Sequence, residues 1–100
     1  MSEATLKVIN ATGDANALLT GRTLVYAVHA RNSGTGAATV LVYDALSVTG
    51  TPLINFTANS SDANTNFQEF FQVTFAVPVL FKVGVTLDIT NVDIINVYYS

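Results

Sequence analysis

Apolar and polar residues alternate along much of the chain. In Arg22–Asn32, Leu24 and Val28 fall on one side while Val25 and His29 fall on the other. A period of two predicts β-strands, because successive side chains of a strand point to opposite faces. No window shows the apolar stripe of a capped helix. The predicted strands are Thr5–Asn10, Arg22–Asn32, Ala37–Val48, Leu53–Thr57, Phe67–Phe75, Val79–Lys82, Val85–Thr90 and Ile94–Tyr99.

Polar turn segments separate these strands. Asn10–Gly21 is predicted as an extended crossing segment, and Asn32–Gly36 and Asn59–Asn66 are predicted as loops. Pro78 breaks its strand or places it at a sheet edge, since proline cannot donate to a ladder. The pattern predicts an all-β fold: a single antiparallel β-sandwich, immunoglobulin-like or jelly-roll-like, with seven to eight short strands in one domain over residues 1–100.

The composition indicates a surface that other protein covers. Half of the residues are apolar and 11% are charged, against about 25% charged in an average soluble domain. The adjacent pairs Phe70-Phe71 and Tyr98-Tyr99 support the same conclusion. Each strand of a two-layer sandwich has one interior face, so half of each pair needs a second site of burial.

The chain offers little catalytic chemistry. It has no cysteine and one histidine, His29, for which a triad with Ser33 and Asp44 would need a chance arrangement. Asp88 and Asp93 flank a turn and could hold calcium, but turn capping is the simpler role. We therefore predict a protein that is not an enzyme and has no cofactor and no metal. The net charge of −3 and the absence of a long apolar run predict no nucleic-acid and no membrane partner.

A resemblance to a known family appears in the second quarter of the chain. Thr39-Val40-Leu41-Val42-Tyr43-Asp44, followed by Ser47–Leu53, resembles a small β domain of tailed-bacteriophage virion proteins. The segments Phe75–Pro78 and Phe81–Leu87 and the closing Val97-Tyr98-Tyr99 resemble the same family. Such domains occur in capsid decoration (cement) proteins and in head- and tail-fibre modules, and they have no active site.

The resemblance implies a non-enzymatic capsid decoration protein, made in the host cytoplasm and located on the virion surface. It would bind the major capsid protein, stabilise contacts between capsid subunits, and associate with itself as a homodimer or homotrimer. Residues 1–20, and Ser2–Leu19 in particular, are predicted as an anchoring arm. The predicted interface residues are Leu6, Val8, Leu18, Leu19, Phe67, Phe70, Phe71 and Tyr98.

One alternative belongs to a different class of function. The chain could be a receptor- or glycan-binding module of a phage fibre or spike. Its contacts would then come from the loops Asn32–Gly36 and Asn59–Asn66, whose Asn, Ser and Thr side chains form adaptable hydrogen bonds.

Overall fold

The chain folds into eight β-strands. A computed structural model describes residues 6–33, 36–58 and 70–100, and within them there is no helix. The predicted antiparallel β-sandwich is confirmed. The strands are β1 (Lys7–Ala11), β2 (Ala15–Thr20), β3 (Thr23–Asn32), β4 (Ala38–Asp44), β5 (Ile54–Ala58), β6 (Phe70–Phe81), β7 (Gly84–Thr90) and β8 (Val92–Tyr99).

The strands pair in a nested order. β4 pairs with β5, β3 with β6, β2 with β7 and β1 with β8, all antiparallel. The chain is therefore one long hairpin of four strand pairs that is rolled into two layers. The front sheet has the order β1-β8-β3-β6 and the back sheet the order β2-β7-β4-β5. This strand order is that of a jelly roll, the second of the two architectures that the pattern predicted.

The core lies between the two sheets and is mainly aliphatic. Branched side chains of the front sheet meet those of the back sheet. The buried apolar cluster consists of Val25, Val28, Ala30, Ala38, Val40, Val42, Ile54, Phe81, Val85, Leu87, Val92, Ile95 and Val97.

A bulge in β3 corrects the predicted faces of that strand. Val25 pairs with Tyr99 of β8, and two residues later Ala27 pairs with Tyr98, the adjacent residue of β8. The extra residue, Tyr26, shifts the phase of the strand by one. Val25 is therefore buried with Val28, although strict alternation placed the two on opposite faces.

β6 also differs from its prediction. The predicted strands Phe67–Phe75 and Val79–Lys82 overlap one continuous strand, β6 (Phe70–Phe81), and residues 67–69 lie outside the described part. β6 is an edge strand of the front sheet, so Pro78 occupies an edge as expected. The excursion of residues 75–78 opposite Tyr26 leaves Val77 79% exposed.

The predicted crossing segment Asn10–Gly21 is wrong, because it contains β2. The register of β2 against β7 shifts between Ala15 and Leu19, and Ala17 adopts a positive φ of 51°. The Ala17 amide donates to Thr86 Oγ1 at 2.9 Å, and this buried hydroxyl donates to the Ala45 carbonyl at 2.8 Å. This irregular ladder removes the alternation by which a strand is recognised in sequence.

Gly84 begins β7 where the backbone is crowded. A Cβ at this position would lie 2.8 Å from the Leu19 carbonyl oxygen and 3.1 Å from Leu46 Cδ2. We expect Gly84→Ala to lower the free energy of unfolding by about 1–3 kcal/mol, the usual cost of overpacking. Gly13→Ala is the control, since a Cβ there meets nothing within 4 Å. Urea unfolding of both variants measures the difference, and equal midpoints would contradict the close packing.

Candidate interaction surface

Four apolar side chains are exposed in the two connections beside Asp44. Three of them belong to the connection between β4 and β5, and the fourth belongs to the turn between β6 and β7. We call these four residues the apolar end. They are Leu46 (53% exposed), Val48 (47%), Leu53 (49%) and Val83 (50%).

The carboxylate of Asp44 links the two connections. Asp44 Oδ1 accepts hydrogen bonds from the amides of Lys82 at 3.0 Å, Val83 at 2.7 Å and Gly84 at 3.2 Å. Leu46 lies over the same turn, as its contact distance to a Cβ at Gly84 shows. Leu46 and Val83 are thereby held near each other. β4 ends at Asp44, although the alternation predicted a strand to Val48.

The hydrogen bonds to Asp44 also set its acidity. Partial burial by itself raises the pKa of the carboxyl, but the three backbone amides and the nearby Lys82 charge lower it by more. The net pKa of Asp44 lies below its ordinary value of 3.8. Donors that favour the ionised form account for this direction.

The outer face of the front sheet carries a second group of functional side chains. Here Tyr98 of β8 packs on His29 of β3, with ring centroids 4.7 Å apart and ring planes tilted by 54°. Tyr98 also pairs directly with Val8 of β1. The neighbouring row of paired residues crosses all four strands and consists of Asn10, Asn96, His29 and Gln72.

An ion pair lies on the next part of this face. Arg31 Nε and Nη2 donate to the two carboxylate oxygens of Asp93, each at 2.9 Å. Hydrogen bonding to Arg31 lowers the pKa of Asp93, and bonding to Asp93 raises the pKa of Arg31. Asp93 lies in the front sheet and Asp88 in the back sheet, so the two carboxylates do not share a turn site. Among the described residues no cluster of metal-ligating side chains occurs.

The structure separates the predicted interface residues into groups. Leu6 and Val8 are more than half exposed, and Val8 meets Tyr98. Leu18, Leu19 and Phe71 are partly buried against the core. Phe67 and the side chain of Phe70 lie outside the described part. The alternation predicted a strand that includes Leu46 and Val48, so it gave no sign of the apolar end. The turn residues Thr49–Pro52 were the one available signal of a connection.

The predicted anchoring arm, Ser2–Leu19, overlaps two strands of the sandwich. β1 and β2 belong to the two sheets, and Ile9 and Leu18 pack against the core. Residues 1–5 lie outside the described part.

Comparison of the chain with protein-family models, with curated proteins and with solved structures gave no match. In the part of the chain that the structure describes, no helix is long and apolar enough to cross a membrane.

The lowered pKa of Asp44 predicts a pH dependence of stability. A depressed folded-state pKa stabilises the fold above the unfolded pKa, and this contribution is lost as the pH falls through the folded value. We expect the free energy of unfolding to fall below about pH 4, and to fall less in Asp44→Asn. Asp44→Asn itself should be less stable at pH 7 by about 1 kcal/mol.

The matched control is Asp88→Asn, because no hydrogen bond to the Asp88 carboxylate occurs among the described residues. Urea unfolding from pH 2.5 to pH 7 measures all three proteins. If Asp44→Asn kept the full wild-type pH dependence, the proposed role of this carboxylate would be excluded.

Proposed function

We propose that this chain is a non-enzymatic structural protein that docks on other protein through the apolar end. The four side chains of this end are each about half exposed, in a chain with few charges to cover its surface. Exposed apolar groups that are held side by side are typical of protein contacts. The hydrogen bonds of Asp44 hold Val83 near Leu46 before binding, so docking of these two side chains would lose little conformational entropy.

The proposed partner is the major capsid protein of a tailed phage, and the proposed role is capsid decoration. The observation that carries this proposal is where the resemblance falls in the fold. Ser47–Leu53 and Phe81–Leu87, two of the segments that resemble phage virion proteins, contain Val48, Leu53 and Val83. Asp44, from the adjoining motif, joins the two segments.

A decoration protein of this kind acts by mass action. A ligand that binds only the assembled shell stabilises it by RT ln(1 + [L]/Kd), about 2.7 kcal/mol per site when the ligand is at 100 times Kd. A chain that contacts two neighbouring capsid subunits opposes their separation. The role requires a folded, self-supporting surface and no catalytic group.

Charged substitutions at the apolar end test this proposal. We expect the double variant Val48→Asp, Leu53→Asp to bind expanded capsids about 10- to 100-fold more weakly. Each side chain is about half exposed, so docking buries about half of it and supplies about half of the roughly 1.5–3 kcal/mol of full burial. Co-sedimentation with capsids assembled without the chain measures binding, and heating of the loaded capsids measures their stabilisation.

The matched control is Thr12→Asp, Thr57→Asp. It adds the same charge at two exposed positions outside the apolar end. Both double variants should keep the wild-type circular dichroism spectrum. Wild-type protein that leaves such capsids unbound, or equal loss of binding in the two double variants, would exclude docking through the apolar end.

A second candidate function, glycan or receptor binding, is favoured by the outer face of the front sheet. The side chains of Asn10, Asn96 and Gln72 make no hydrogen bond within the described residues, and they share a row of paired residues with His29, on which the Tyr98 ring packs. Amides next to an aromatic ring suit sugar hydroxyls and the apolar face of a sugar. Saturable binding on a glycan array that is lost in Tyr98→Ala and weakened in Gln72→Ala would support this function.

A further inference from the structure

The four sheet edges of the sandwich are not alike. β2 is bulged, with Ala17 at positive φ, and β6 contains Pro78 and a shifted register. Both features are common means by which proteins prevent an edge from pairing with another strand. β5 and β1 have regular registers throughout their five residues. Among the described strands, β1 and β5 are therefore the two edges whose backbones can pair with a further strand.

β1 differs from β5 in the side chains that it exposes to solvent. The outward side chains of β5 include Asn55 and Thr57, which are polar and exposed. On β1 the outward side chain Val8 is 56% exposed, and Leu6, which precedes the strand, is 54% exposed. A flat edge strand with exposed apolar side chains is a strong template for association. Lys7 is the only charged residue of β1.

We propose that β1 pairs with β1 of a second copy of this chain, antiparallel, with Ile9 on the two-fold axis. This register overlaps all five residues of the strand, Lys7–Ala11. It places Val8 opposite Asn10 of the second copy and Lys7 opposite Ala11 of the second copy. The two front sheets join into one sheet of eight strands, which no longer exposes a regular apolar edge.

Two features of β1 identify a second copy as the partner. In the antiparallel overlap the two Lys7 residues lie at opposite ends of the ladder, so no like charges face each other. On the outer face, the pair Tyr98–Val8 of one copy continues into the pair Asn10–Asn96 of the other, because Val8 pairs with Tyr98 and Asn10 with Asn96 within each chain. The contact is self-complementary, as a two-fold interface must be.

The register can be tested with one pair of substitutions. Val8→Lys brings two lysines into diagonal contact across the axis and should raise the dimer Kd about tenfold. The double variant Val8→Lys, Asn10→Glu sets each lysine opposite a glutamate of the other copy and should recover most of the wild-type Kd. Analytical ultracentrifugation of the isolated chain over a range of concentrations measures these constants.

Thr57→Lys is the control, since it puts the same charge on the other regular edge and should leave the dimer unchanged. A monomeric wild type at all concentrations would overturn the proposal, and so would a Val8→Lys dimer of wild-type affinity. A dimer weakened equally by Thr57→Lys would assign the contact to a different edge. These measurements need no capsid, so their outcome is independent of the proposed function.

Discussion

Nested antiparallel pairing is the constraint from which the rest of this structure follows. Because β4–β5 is the innermost pair and β1–β8 the outermost, residues near the two ends of the described chain must meet. Rolling the nested hairpin into two layers buries one face of each strand. It also leaves β1 and β2 at the edges on one side and β5 and β6 at the edges on the other.

The apolar end depends on a single carboxylate within this framework. The Asp44 carboxylate accepts hydrogen bonds from the backbone amides of residues 82–84. These bonds hold together two connections that are far apart in sequence. An ionised acceptor is well suited to this task, since backbone donors stabilise its charge. The surface that we propose for docking is thus built by polar contacts, although the side chains that it displays are apolar.

The irregular strands affect which sheet edges can pair with another strand. The bulges in β2, β3 and β6 interrupt ladders, and those in β2 and β6 also make two edges poor templates for association. The regular edge of β1 is therefore distinctive. Docking through the apolar end and self-pairing through β1 use separate parts of the sandwich, so one chain could make both contacts in an assembly.

The sequence by itself determined the fold class and most strand positions, because alternation is a direct sign of a strand with one buried face where the strand is regular. It did not reveal β2 or the burial of Val25, because a bulge shifts the phase of the pattern and the ladder partner is distant in sequence. The sequence pattern also did not reveal the apolar end. Only the tertiary structure brings Asp44 to the amides of residues 82–84, since that contact spans about forty residues and follows from the nested pairing of strands.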